Sequence, residues 1–257
     1  MTDPAPKLLL LGISNPITWI IYNRLVQEFG LFDAIIEDRV AKSAMLKNRA
    51  RKLGWIAVLN QLAFVALVRP IINYQSARRI RSICKRNGLE ATRPYSPAIR
   101  RIASINSPQA IAMIAAKAPD VVIVSGTRIL KKDVLQATPG VFLNCHQGIT
   151  PQYRGGHGGY WALYQNDAAH CGVTVHVLDE GIDTGNVVSQ ALIAPEPADS
   201  FATYPYLQTA TVLPLLTKAI REAAAGNLVS KAVSGASAVW YHPGIWQYAT
   251  GWLRGIK

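Results

Sequence analysis

Leu8 to Ile13 is an unbroken apolar run, closed by Ser14-Asn15-Pro16 and followed by a helix-like segment that stops at Gly30. A short continuous apolar run bounded by turn residues is a strand buried on both faces, and such a strand needs helices above and below it. The spacing predicts a helix from Ile17 to Phe29, with Pro16 opening it and Gly30 ending it. Phe32 to Ile36 reads as a second strand. This βαβ opening predicts a Rossmann-like, doubly wound α/β fold with a mostly parallel sheet. GxGxxG is missing after the first strand, so a dinucleotide site is not indicated.

The alternation resumes downstream. Ser107 to Lys117 and Thr127 to Gln136 read as helices, and Asp120 to Val124, Val141 to His146, Gly172 to Leu178 and Val187 to Ile193 as strands. His157 to Gln165 reads as a short helix. Asp199 to Ala225 reads as mostly helical, with Asp199 or Ser200 as N-cap and Gly226 as stop. Pro205 and Pro214 are expected to divide it. The last thirty residues are rich in Trp, Tyr and Gly and show no clear periodicity. The expected organisation is a sheet domain over residues 1–195 and a short helical C-terminal region over 196–257.

Residues 39–88 interrupt the pattern with a basic and apolar helical insertion. Ala41 to Leu53 is helix-prone, Gly54 breaks it, Trp55 to Val68 is strongly apolar, Arg69-Pro70 should end that stretch, and Asn73 to Asn87 makes another basic helix. Twelve Lys or Arg lie between Arg39 and Arg86 with no Asp or Glu. The other fifteen basic residues balance all fifteen acidic ones, so this segment carries the whole net charge of +12. It should attract something anionic. The Trp55 to Val68 stretch is shorter than the about twenty residues that cross a bilayer. Burial in the fold, a homodimer contact, a peripheral contact with an anionic membrane through residues 39–86 and a membrane span all remain open. Nucleic acid is disfavoured, because only Tyr74 interleaves the basic helices.

Cys84, Cys145 and Cys171 form no CxxC pair, which suits a reducing cytoplasm and neither a disulfide framework nor a cysteine zinc site. Met1 to Lys7 lacks the basic and apolar regions of a signal peptide. No His/Asp/Glu spacing suggests a metal.

The chemistry concentrates at two strand ends. In Val141 to His146, period-two alternation puts Asn144 and His146 on one face and turns Cys145 into the core. Asp183 follows another strand in the Gly-rich turn Gly181-Ile182-Asp183-Thr184-Gly185. An amide, an imidazole and a carboxylate at the ligand-binding edge of such a sheet suit acyl transfer.

Four motifs in register resemble those of the folate-dependent formyltransferases, a family that includes glycinamide ribonucleotide, methionyl-tRNA and sugar N-formyltransferases. They are Asn144-Cys145-His146, Pro151-Gln152-Tyr153-Arg154-Gly155, Gly172-Val173-Thr174-Val175-His176 and the Asp183 turn, and the resemblance covers roughly residues 119 to 195. Where many members have Ser-Leu-Leu-Pro, this chain has Gly148-Ile149-Thr150-Pro151, a departure that touches loop contacts and not the three polar groups. The resemblance implies that 10-formyltetrahydrofolate is the formyl donor. Asn144 would hold the formyl oxygen, His146 would manage the proton, and Asp183 would orient and charge-balance His146, directly or through a water. The pterin would sit against Ser125, Gly126, Thr127, Arg128, Ile129 and Leu130, with Asp179, Glu180, Gly181 and Ile182 closing the other side. Contacts to the acceptor would come from Arg154, His157, Ser14 and Asn15.

The acceptor is less constrained. About sixty residues follow Ala194 and most read as helix, unlike the β-barrel of the tRNA enzymes. Gly12 to Pro16 fits poorly the phosphate loop of the glycinamide ribonucleotide enzymes. The resemblance therefore points to a nucleotide-diphosphate amino sugar of GDP-perosamine type, made for surface polysaccharide such as lipopolysaccharide O-antigen. Another amine acceptor, formyltetrahydrofolate hydrolysis, or an inactive membrane-surface scaffold are the alternatives. The expected location is the cytoplasm, or the inner face of the membrane.

Overall fold

The computed structural model describes residues 5–40 and 42–257; Ala41, where the first basic helix was expected to begin, lies outside the described residues. The strands are β1 (Leu8–Ile13), β2 (Asp33–Glu37), β3 (Ile99–Ile102), β4 (Val121–Ser125), β5 (Val141–His146), β6 (Arg154–Gly155), β7 (Gly172–Val177), β8 (Val187–Leu192) and β9 (Val239–Trp240). The helices are α1 (Pro16–Phe29), α2 (Lys42–Leu53), α3 (Trp55–Ala63), α4 (Arg69–Asn87), α5 (Pro108–Lys117), α6 (Lys132–Leu135), α7 (Gly158–Tyr164), α8 (Tyr204–Ala224) and α9 (Ile245–Leu253). Seven strands form one sheet in the order β3-β2-β1-β4-β5-β7-β8. It is parallel from β3 to β5 and antiparallel across β5–β7 and β7–β8. The doubly wound α/β arrangement expected from the alternating pattern is the one observed.

The apolar runs are buried on both faces, as period-two strands between two helical layers must be. Leu8, Leu10, Ile123, Leu143 and Val175 pack with α1 and α8. Leu9, Leu11, Val122, Val124 and Phe142 pack on the other side with Ala110 and Ile114 of α5. A third, aromatic cluster of Phe64, Tyr153, Tyr160, Trp161, Phe201 and Tyr204 has Trp240 and Tyr248 against it, and so joins the insertion to the C-terminal segment.

Several elements differ from expectation, each for a local reason. Arg69-Pro70 does not end the apolar helix: α3 and α4 are continuous through a π-helical turn, Phe64–Val68. In that wider turn the Arg69 N–H reaches Phe64 O, which relieves the crowding that Pro70 would cause in a regular α-helix. The helix expected over 127–136 shrinks to α6, because the backbone before it is tied elsewhere. The Arg128 N–H donates to Glu37 Oε1 (2.6 Å), the Lys131 N–H donates to Asn106 Oδ1 (2.9 Å), and Ile129 O accepts from Asn106 Nδ2 (2.9 Å). Pro205 and Pro214 do not divide α8. The first sits in its opening turn, where no N–H is needed, and the second lies on the exposed face. Asp199 and Ser200 stand ahead of α8, where Asp199 accepts from the Glu196 N–H and from Arg79. The unperiodic C-terminus contributes β9, paired with β6, and α9, packed on α3.

Candidate active site

β1, β4 and β5 run parallel, so their C-terminal ends share one edge of the sheet. That edge carries Ser14 and Asn15 after β1, Ser125 to Leu130 after β4, and Asn144 and His146 at the end of β5. Cys145 points away into the core, where burial pushes its thiol up to about 12 and leaves it no nucleophile.

Asp183 is the hub. Its Oδ1 accepts from Asn144 Nδ2 at 3.2 Å, and its Oδ2 accepts from the Gly155 N–H at 2.9 Å and lies 3.2 Å from His146 Nδ1. The contact with His146 is direct. A backbone φ of 51° turns this side chain inward, a left-handed conformation that a non-glycine residue holds only when its surroundings insist. The insistence comes from Arg154, which donates to Ile182 O at 3.0 Å, and from β6, where a Cβ on Gly155 would lie only 2.5 Å from Trp240 O. Burial alone would raise the Asp183 carboxyl, but His146, His176 and the Gly155 N–H more than offset it and hold it at about 2.

Asn144 Nδ2 also donates to His176 Nε2 at 3.0 Å. The ionised Asp183 settles the amide orientation, since a flipped Asn144 would turn its oxygen toward the carboxylate. His176 Nδ1 lies 3.0 Å from Val177 O, and with the proton on Nδ1 the ring donates there and accepts from Asn144 at Nε2. Both Asn144 donors are thus occupied, and holding a formyl oxygen requires exchanging one of them. His146 Nε2 lies 2.6 Å from Tyr153 O and Nδ1 faces Asp183 Oδ2 at 3.2 Å, surroundings that favour a charged ring. Burial opposes that charge and pulls the imidazole below its ordinary value, with Asp183 working the other way. Burial and the carboxylate thus pull the His146 proton in opposite directions.

The other expected site residues fall as follows. Ser125 is turned inward, its hydroxyl 3.0 Å from that of Thr18, and Leu130 is buried. Gly126 is exposed with φ 71°, and a Cβ there would fill the notch between Ile13 (3.6 Å) and Asn15 Nδ2 (3.8 Å). Thr127 is half-buried and Ile129 is 55% exposed on the same loop. The Arg128 side chain turns away from the centre: it donates to Asp38 O and Ala103 O and pairs with buried Glu37. Asp179 and Glu180 are exposed, and Asp179 caps its own loop through the Gly181 N–H and the Thr184 hydroxyl. Asn15 caps α1 by accepting from the Thr18 N–H, and Ser14 O accepts from Arg39. His157 Nε2 lies 2.9 Å from His242 Nδ1. Burial depresses both rings, His242 to about 4, and the charges of Arg69 and Arg49 add to the effect.

His176, Gly155, the Tyr153 carbonyl and His242 were not among the expected site residues. For His176 the signal exists in the ladder. Antiparallel β7 sets His176 opposite Asn144 and Thr174 opposite His146, so all four side chains share a face. No metal-ligating cluster occurs among the described residues.

Residues 81–205 match the sequence pattern of the formyl transferase family. The chain is 38% identical over 91 residues to a methionyl-tRNA formyltransferase of Desulfotalea psychrophila, a stretch that covers 35% of this chain and 28% of that protein. The chain therefore spans less than a third of that relative's length. In fold it is similar to a sugar N-formyltransferase from Shewanella (TM-score 0.58, 14% identity, 96% of this chain and 80% of that one). It is also similar to an N-formyltransferase from Helicobacter canadensis in complex with folinic acid and dTDP-3-aminofucose (TM-score 0.53, 16% identity, 91% of this chain and 70% of that one).

Proposed function

We propose that this chain is a folate-dependent N-formyltransferase that moves a formyl group from 10-formyltetrahydrofolate to the primary amine of a nucleotide-linked amino sugar. The observation that carries the reading is Asp183 in direct contact with both Asn144 and His146, at 3.2 Å each, inside the span that matches the family. The residues present fit the donor: Gly126, which leaves open the space between Ile13 and Asn15, and the exposed Ile129 would offer a flat ring an apolar surface.

When bound, the donor supplies a formyl carbon on a nitrogen able to leave as an amine. A C–N bond to the acceptor forms and the C–N bond to the donor breaks; one proton leaves the acceptor nitrogen and one arrives on the departing nitrogen, so the balance is even. Asn144 Nδ2, released from one present partner, stabilises charge on the formyl oxygen. His146 carries the moving proton, and Asp183 offsets the imidazolium and fixes the ring. His176 holds the Asn144 amide in its working orientation.

The acceptor side is basic. Arg154 leads through Gly155 and Gly156 to the His157–His242 pair, whose rings feel the charges of Arg49 and Arg69 from the insertion. That surrounding suits a diphosphate, and the H. canadensis relative was solved with a nucleotide amino sugar. A 4-amino-4,6-dideoxy sugar of GDP-perosamine type is the acceptor we put forward, for synthesis of a surface polysaccharide in the cytoplasm. The curated relative acts on tRNA by its name, so tRNA is the competing acceptor. The test incubates purified chain and donor with GDP-perosamine, a dTDP-amino sugar, glycinamide ribonucleotide and methionyl-tRNA, and reads products by mass. Formylation of a nucleotide sugar is expected. Formylation of tRNA or glycinamide ribonucleotide alone would overturn the acceptor, and release of formate without any formylated product would make the protein a hydrolase.

A further inference from the structure

The helix running from Trp55 to Asn87 buries only part of itself. Val58, Gln61, Phe64, Ile72, Ser76 and Ile83 face the domain. The opposite side presents Ile56 (87% exposed), Leu59 (61%), Leu67 (64%), Ile71 (58%) and Tyr74 (86%) to solvent. At 1.5 Å per residue, the stretch from Ile56 to Tyr74 is about 27 Å long. An exposed apolar stripe of this length is more than the scattered apolar residues normal to a surface.

Two further features adjoin this stripe. α9 packs beside α3, its Ile245 N–H donating to Asn60 Oδ1, and exposes Trp246, Trp252 and Leu253. The stripe is also bracketed by charge of one sign. Arg51 and Lys52 precede Trp55, while Arg78, Arg81 and Lys85 continue the exposed side beyond Tyr74; all are exposed, and among the described residues none forms an ion pair.

The charge decides between occupants. A two-fold contact with a second copy would set this face against itself, bringing the same unpaired cations together, which is costly. An anionic bilayer accepts the face as it stands: apolar side chains at the acyl boundary, Trp and Tyr at headgroup level, Lys and Arg over the phosphates. The helix lies along the surface and does not cross, because its other side is fixed to the aromatic core through Phe64 and Ile72. We propose that the face formed by residues 55–74 of this helix and by α9 docks the protein flat on an anionic membrane. This goes beyond the formyl-transfer reading and does not depend on it.

The test is co-sedimentation of the whole chain with vesicles of phosphatidylcholine alone and of phosphatidylcholine mixed with phosphatidylglycerol, at low and high salt. Wild type is expected to bind the mixed vesicles at low salt, to release as salt rises, and to ignore the neutral ones. Replacing both Leu59→Glu and Leu67→Glu should abolish binding. Arg78→Glu with Arg81→Glu should weaken it at least twenty-five-fold, about five-fold for each cation lost. Thermal melts show that the variants fold, and formyl transfer in vesicle-free buffer should match wild type, so the two readings fail separately. No binding at low salt would overturn the proposal, as would a wild-type dimer in light scattering that the Leu67→Glu change makes monomeric.

Discussion

Asp183→Asn isolates the charge at the centre of the site while keeping its shape. The carboxyl sits at about 2 against an ordinary 3.8, and at 1.36 kcal/mol per unit that shift represents about 2 kcal/mol of preference for the ionised form. Because the folded-state value is depressed, this contribution is fully present above pH 4 and fades only as pH falls toward 2. The amide loses it at every pH of interest. It also points an NH2 at one of Asn144 Nδ2, the Gly155 N–H or His146 Nδ1, all of which need an acceptor. The variant should therefore melt roughly 5 °C lower at pH 7, given about 2 to 4 °C per kcal/mol in a chain of this size. Its kcat should fall at least a hundred-fold, as when an oriented imidazole or an oxyanion donor is lost. The assay pairs a calorimetric melt at several pH values from 4.5 to 8 with steady-state formyl transfer. A gap in Tm that closes between pH 7 and 5 would show the folded-state carboxyl to be raised instead of depressed, and near-full kcat would refute its role.

Glu37→Gln should raise KM for the folate donor and leave KM for the amine unchanged, because buried Glu37 holds the Arg128 and Ile105 N–H groups behind the Gly126 loop; equal changes in both would contradict this. Gly148→Ala should lower both Tm and kcat, since its Cβ would lie 2.3 Å from Tyr153 O and 2.8 Å from His146 Nε2, a clash costing about 1–3 kcal/mol; wild-type melting and turnover would disprove the close approach. Cys145→Ala should keep formyl transfer, and the wild-type thiol should resist alkylation at pH 8; rapid labelling of Cys145 in the folded protein would be inconsistent with its burial. Stability should decline on acidification, because His242 is held neutral with a value near 4 against an ordinary 6.5. That depressed value contributes roughly 3 kcal/mol above the unfolded value, lost as pH falls through about 4; His242→Gln should flatten the fall in Tm between pH 6.5 and 4, and an unchanged slope would exclude His242 as its source.

Local pattern carried the sheet and half of the site. Leu8 to Ile13 and Val141 to His146 announce themselves as strands because burial on both faces leaves no polar alternation, and the period of two fixes which neighbours of Cys145 face the crevice. Prolines predict breaks only in an isolated helix: here Pro70 is carried by a π turn and Pro214 by an exposed face, both choices made by packing. The segment after β4 becomes a loop only once Glu37, 91 positions from Arg128, claims its backbone.

The residues that turn three polar groups into one site were legible in another way again. Asn144, His146 and Asp183 could be named from the chain, because each sits in a short motif of its own. Their partners could not. His176 meets Asn144 only because β7 runs antiparallel to β5 in one register, and Gly155 reaches Asp183 only because β6 is held by β9 from the far end of the chain. Period and turn chemistry act over a few residues and are written in the sequence; hydrogen bonds between segments dozens of residues apart exist once the sheet order is set, and with them the charge state of Asp183 and the occupied donors of Asn144.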